Sequence, residues 1–186
     1  MEHQKSIIYA DDDYEPISLL FRLRAPSLVV GLVLGIFISI VISRFEEVFL
    51  RDVQATFFIP FVVYIADAIG AQTHSIYARD LKSGHPKFSR YVRKELILGA
   101  VFGVLFSVIA GAAVFLWLGK DLLALSVAVA TLLAVGLAPI VALMITQIIQ
   151  SSGRDPAAGA GPIATVIQDM ISVIIYGVVC SFILLN

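Results

Sequence analysis

Five long apolar runs alternate with short polar connections along the chain. They extend from about Pro26 to Ser43, Thr56 to Ala78, Leu96 to Leu118, Leu122 to Ile149, and from Asp155 to Leu185. Each approaches or exceeds the roughly 20 residues that a helix needs to cross a bilayer. The pattern predicts an all-α integral membrane protein with five transmembrane helices. Gly31 and Gly35, and again Gly99 and Gly103, have the small-xxx-small spacing that lets another helix approach closely, and Ser107 and Gly111 repeat it. Pro60 interrupts the second run and Pro139 is placed to kink the fourth. Gly119, Lys120 and Asp121 make a tight turn between the third and fourth. Asp155-Pro156 reads as a helix start, Asp capping and Pro at the first helical position. Gly159, Gly161 and Pro162 then loosen the first turns and leave backbone carbonyls free.

At 59% hydrophobic and 15% charged residues, with a mean hydropathy of +0.95, the composition excludes a soluble domain. The division it suggests is a polar cytosolic segment over residues 1–25 and a five-span domain over 26–186. A net charge of −1 conceals a segregation of the 13 lysines and arginines. With the N-terminus inside, the inner segments hold Lys5, Arg22, Arg24, six residues of the 79–94 stretch and Arg154, ten in all. The outer ones hold Arg44, Arg51 and Lys120, only three. The positive-inside rule therefore predicts a multi-pass protein of the cell membrane, N-terminus cytosolic and C-terminus outside. It also accounts for the basic 79–94 stretch, so the partner is the lipid bilayer and no nucleic acid is invoked. Cys180 is the one cysteine and permits no intramolecular disulfide. No cleavable signal peptide is recognisable, since Ile7-Ile8 is followed by an acidic run, Asp11, Asp12, Asp13 and Glu15.

The polar residues inside the apolar runs carry the chemistry. An ionised carboxylate at membrane depth costs about 2.5–3.5 kcal/mol even on the mildest insertion scale, so Asp169 marks a site. Thr165, Ser172 and Tyr176 fall on its helical face and make a polar stripe. Asp67 is a second intramembrane acid, sharing a broad face with Tyr64, His74 and Tyr77 beside the small Ala66, Ala68, Gly70 and Ala71. His74 reads as a packing or hydrogen-bonding residue, and Glu95 as an interfacial acid paired with Arg93 or Lys94. Gln147 and Gln150 reach either the same vestibule or the interface. A nucleotide-binding glycine loop, a cysteine cluster, H-E-x-x-H and a nucleophile elbow are all missing from the sequence, which argues against an enzyme. The available ligands are oxygens, which suit hard divalent cations; Mg2+ in particular keeps its waters and accepts carboxylates around them. That points to a cation pathway leaning toward Mg2+, with Mn2+, Ca2+ and protons left open. A buried Asp satisfied by hydroxyls of a neighbouring helix is the structural alternative.

Three stretches resemble the membrane domain of the MgtE family of magnesium channels and transporters. They are R-A-P-S-L at residues 24–28 with Phe45-Glu46 after the first span, I-P-F-V-V-Y-I-A-D-A-I-G-A-Q-T-H-S-I-Y-A-R-D-L at 59–81, and Asp155-Pro156-Ala157 through Gly161-Pro162 to Asp169 and Ile175-Tyr176. The resemblance implies a homodimer with one pore on its two-fold axis, lined by the second and fifth spans. It places the family's ion-coordinating acid on Asp169, a lining position on Thr165 and a carbonyl-supplying position on Gly161. The paired Asp169 carboxylates would then bind a largely hydrated ion, Mg2+ foremost, with Mn2+ or Co2+ as other cargoes. Two departures stand out. Ala66-Asp67-Ala68 replaces a Gly-Gly-Asn and adds an acid, making Asp67 a further metal ligand. The family's large cytosolic regulatory domains have no counterpart in the 25 or so residues before the first span. Two other functions stay open on the residues alone: a proton-coupled carrier of an organic solute using Asp67 and Asp169, and a non-transporting membrane subunit.

Overall fold

The computed structural model describes residues 13–84, 86–153 and 156–186, the last with backbone alone over 156–162. Six α-helices and one 3-10 helix succeed one another, and no strand occurs among the described residues. They are α1 (Ile17–Ser43), α2 (Glu46–Arg51), the 3-10 helix Val53–Phe58, α3 (Ile59–Ser83), α4 (Phe88–Leu118), α5 (Asp121–Ser151) and α6 (Pro156–Leu184). Five stretches are long and apolar enough to cross a membrane: α1, the 3-10 helix with α3, α4, α5, and α6 from Ile163. Asp11, Asp12 and the Asp155 cap lie outside the described residues.

The boundaries differ from the sequence reading at two prolines. Pro26 does not open the first span; α1 begins nine residues earlier, after Pro16, and carries Pro26 inside it. The division near residue 25 thus falls within a continuous helix whose first turns bear Arg22 and Arg24. Pro60 does not interrupt a helix either. The 3-10 helix ends at Phe58 and Pro60 sits in the first turn of α3, where its missing N–H would have had no helical acceptor. Pro139 is as expected within α5, so the Val135 carbonyl lacks its usual partner there.

α5 is the central element, packed on α3, α4 and α6, and α6 packs further on α1 and α3. The α4–α5 contact follows from glycine. A Cβ on Gly99 would stand 2.5 Å from the Gly136 carbonyl oxygen, and one on Gly103 would stand 2.9 Å from that of Leu132. The backbones approach this closely because Gly99 and Gly103, and Gly136 across from Gly99, carry no side chain. The matching pair on α1 does otherwise: a Cβ added at Gly31 or Gly35 meets nothing within 4 Å among the described residues of the rest of the protomer. Among α1 residues only Ser27 is buried, while Leu32, Val33 and Ile36 are open, as are Val101, Val104 and Val108 on α4. Such faces suit lipid rather than water.

The segment between α1 and α3 is folded back as a cap over one end of α6. Phe45 lies against Gly177, where any side chain would clash with its ring. Phe49 stacks on Tyr176 with ring centroids 6.4 Å apart. Asp52 accepts from the Gln54 amide at 3.1 Å, which starts the 3-10 helix, and pairs with Lys120 at 2.8 Å. Arg51 donates to the Leu185 carbonyl at 3.1 Å.

Candidate functional site

Helical spacing sets one face of α3. Asp67, Gly70, Ala71 and His74 stand at i, i+3, i+4 and i+7, so they form a single stripe. Across from them α6 presents Ala164, Thr165 and Gln168, and Ala142 of α5 closes the third side. The three helices enclose a cavity of about 50 Å³. Small residues make the space: Gly70 lies at van der Waals distance, 3.6 Å, from the Ala138 oxygen and Ala142 Cβ for an added methyl. The lining is mixed, with a carboxylate, a hydroxyl, an amide and an imidazole among methyl groups.

Two of the four residues singled out from the sequence, Asp67 and Thr165, line this cavity together. Asp169 follows Gln168 on α6, which packs on the α3 helix that carries Asp67, and is half-buried. Among the described residues neither carboxylate meets a lysine or arginine. Gly161 belongs to the helical backbone of α6, one turn before Thr165, and its surroundings lie outside the described residues. α6 is helical from Pro156, so the loosened first turns read from Gly159, Gly161 and Pro162 are wound as helix.

The polar stripe of α6 divides. Thr165 lines the cavity and Asp169 is half-buried beside it in sequence, whereas Ser172 and Tyr176 are fully buried in the protomer. The Tyr176 hydroxyl donates to the Ala55 carbonyl at 2.6 Å, and Ser172 accepts from Gln168 Nε2 at 3.1 Å. The α3 face divides as well. Tyr64 is 71% exposed, and Tyr77 is buried between Phe88 and Tyr91, donating to Gln147 Oε1 at 2.5 Å. Gln147 is thereby engaged outside the cavity. Glu95 is not paired with Arg93 or Lys94. It is buried and accepts from Thr73 Oγ1 at 2.8 Å, because its side of α4 faces α3 while both basic neighbours are exposed.

Two buried polar residues beside these were missed in the sequence. Gln168 is 2% exposed, and its Oε1 is buried without a hydrogen-bond partner among the described residues. It lies one position off the Asp169 stripe, and its signal was the i, i+4 spacing to Ser172 in an apolar run. Thr146, fully buried on α5, holds His74 Nδ1 at 2.9 Å and donates its own hydroxyl to the Ala142 carbonyl at 2.7 Å.

The family model described as MgtE, divalent cation transporter, matches residues 59–179, from the first residue of α3 to near the end of α6. The chain belongs to the MgtE family. A magnesium transporter MgtE of Bacillus subtilis is 27% identical, the match covering 94% of this chain and 42% of that protein. One of Enterococcus faecalis is 28% identical over 82% of this chain and 34% of its own length. One of Thermus thermophilus is 26% identical over 84% and 35%. The chain thus spans between a third and somewhat over two fifths of the MgtE relatives it matches. MgtE membership and five apolar helices together make it a multi-pass membrane protein.

Proposed function

We propose that this chain moves divalent cations, Mg2+ foremost, across the cell membrane as a homodimer whose passage lies on the two-fold axis. The observation that carries the reading is the pair of acids Asp67 and Asp169, on the apolar helices α3 and α6 that pack on each other, without a basic partner among the described residues. Two carboxylates held together in a low-dielectric region repel, and a dication relieves that repulsion. The relatives are magnesium transporters, which is in keeping with such a cargo.

Asp169 is only half-buried in the protomer. A carboxylate at mid-span cannot face hydrocarbon cheaply, so a second copy related by a two-fold axis covers it and brings its own Asp169 to the same place. Mg2+ dehydrates reluctantly. The paired carboxylates therefore hold it through its waters, with the Thr165 hydroxyl and the Gly161 carbonyl accepting hydrogen bonds from that shell. Asp67, placed one helix away, adds negative charge to the approach and tunes which dications enter; Mn2+ and Co2+ are the competing cargoes.

In this reading residues 26–186 form the transporting unit and the preceding segment is cytosolic, with the C-terminus outside. The ten-to-three distribution of Lys and Arg supports that orientation. Flux of Mg2+ into proteoliposomes, compared between wild type and Asp169→Asn, is the test. The variant keeps the side chain's size but loses its charge, and an assembled protein with little flux is the expected result. Transport equal to wild type rejects Asp169 as the ion site. Absence of divalent flux in the wild type itself, with uptake of an organic solute that collapses with the proton gradient, replaces the reading by a proton-coupled carrier.

A further inference from the structure

α3 and α4 both pack along α5, but their backbones hardly meet each other among the described residues. Side chains close the gap at its back. The Tyr77 and Tyr91 rings stand 4.8 Å apart, Thr73 Oγ1 donates to Glu95 at 2.8 Å, and the Tyr91 hydroxyl donates to Asp80. In front of them a wedge of about 570 Å³ opens to the outside of the protomer. That is within the roughly 300–1,000 Å³ of sites that take small ligands. Helical spacing gives the wedge two unlike ends. Lys87, Arg90, Lys94 and Leu98 of α4 line it turn after turn, and Ile76, Asp80 and Ser83 of α3 face them. Both helices leave the same short connection, so Ser83, Lys87 and Arg90 lie at the end beside it and Ile76 and Leu98 at the end away from it. Ile76 is 44% exposed and Leu98 43%, so the fold itself does not fill the apolar end.

The cations of the wedge are unspent, whereas its acids are taken. Asp80 is held by Arg79 and Tyr91, and Glu95 by Thr73. Among the described residues no acid pairs with Lys87, Arg90 or Lys94, and all three are exposed. Arg90 and Lys94 are i, i+4 neighbours on the helix surface, so both side chains reach a single anion. A guanidinium matches phosphate oxygens with two parallel hydrogen bonds, and an ammonium adds a point charge. The positive-inside rule asks for basic residues on one side of the membrane, not for their convergence on one cavity. Arg79, Lys82 and Arg93 of the same stretch satisfy that rule from outside the lining. The gradient then selects the occupant. A free phosphate uses only the basic end, and a zwitterionic lipid brings its own ammonium up to three cations. A lipid with a net negative headgroup fits both ends.

We propose that the wedge between α3 and α4 is a binding site for an anionic phospholipid, its headgroup phosphate held by Arg90 and Lys94 with Lys87 at the rim, and its acyl chain lying along Ile76 and Leu98. The lipid braces two helices that have little direct contact of their own. The site goes beyond the transport reading and does not depend on which ion is carried.

The experiment measures lipid binding rather than flux. The full chain, purified in a nonionic detergent with divalent ions chelated, is titrated with dioctanoyl phosphatidylglycerol. The matching choline lipid, glycerophosphate and inorganic phosphate are the comparisons, and melting temperature and native mass spectrometry are the readouts. Wild type is expected to show saturable stabilisation and a retained lipid with phosphatidylglycerol, and neither with the other three at the same concentration. Arg90→Gln combined with Lys94→Gln should weaken phosphatidylglycerol binding by about tenfold or more, the scale of two cations acting on an anionic lipid. Lys82→Gln combined with Arg93→Gln removes the same charge from outside the wedge and should stay close to wild type. Where the first pair fails to fold, Lys87→Gln asks the same question from a position before the first turn of α4, with a loss of about threefold. No stabilisation and no retained lipid in wild type overturns the site. Unchanged binding in both the Arg90–Lys94 and Lys87 variants overturns it, and so does equal weakening by the two pairs, which would mean diffuse surface charge. Choline lipid that binds as tightly removes the headgroup's role. Stabilisation by glycerophosphate or phosphate alone gives the wedge to a soluble anion and overturns the lipid.

Discussion

The Tyr176 hydroxyl donates to the Ala55 carbonyl at 2.6 Å, joining α6 to the 3-10 helix before α3 across 121 residues of sequence. Both groups are buried, so the bond satisfies an acceptor that has no water to turn to. Tyr176→Phe should lower stability by about 1–3 kcal/mol, the cost of an unsatisfied buried carbonyl. Denaturation in detergent measures it. The per-molecule flux of the folded fraction should stay near wild type, which is the opposite signature from Asp169→Asn.

Asp67→Ala removes the acid that departs from the family's pattern. We expect the ratio of Mg2+ to Mn2+ flux to change by several-fold while the melting temperature without metal changes little. An unaltered ratio together with a weakened dimer would mark Asp67 as a packing residue.

Co-expression of wild-type and Asp169→Asn chains tests the shared passage. On a two-fold axis each protomer contributes half the carboxylates, so mixed dimers should be depressed and activity should fall faster than the mutant fraction. A strictly proportional fall would mean that each protomer has its own path.

Gly99→Ala places a methyl 2.5 Å from the backbone oxygen of Gly136, where no side chain can give way. α4 and α5 must separate, and about 1–3 kcal/mol of stability should be lost. Gly31→Ala has open space in the protomer and is the control; its melting temperature should stay within a degree or two of wild type. A large loss at Gly31 would reveal a helix of another copy resting there.

The spans, their number and the two intramembrane acids were legible because apolar length and an isolated carboxylate are local signals. Helix ends were less so: Pro26 and Pro60 look alike as breakers, yet one lies deep in α1 and the other in the first turn of α3. The stripe on α6 was correct as geometry, but of its residues only Thr165 lines the cavity. Periodicity tells which residues share a face but not what stands opposite, and Ser172 and Tyr176 meet Gln168 and Ala55 rather than the cavity. Glu95 was misread for the same reason, its partner Thr73 being 22 residues away on another helix. Gln168 escaped notice because an uncharged amide in an apolar run gives a weaker signal than an acid one position later.

The pin at Tyr176 also sets a mechanical ratio along α6. With 1.5 Å of rise per residue, Asp169 lies about 10 Å and Thr165 about 16 Å from that fulcrum. A tilt of about 5° about it carries Asp169 by about 0.9 Å and Thr165 by about 1.4 Å. The hydroxyl therefore travels farther than the carboxylate for the same swing. Any tilt of the helix about that point would displace Thr165 farther than Asp169.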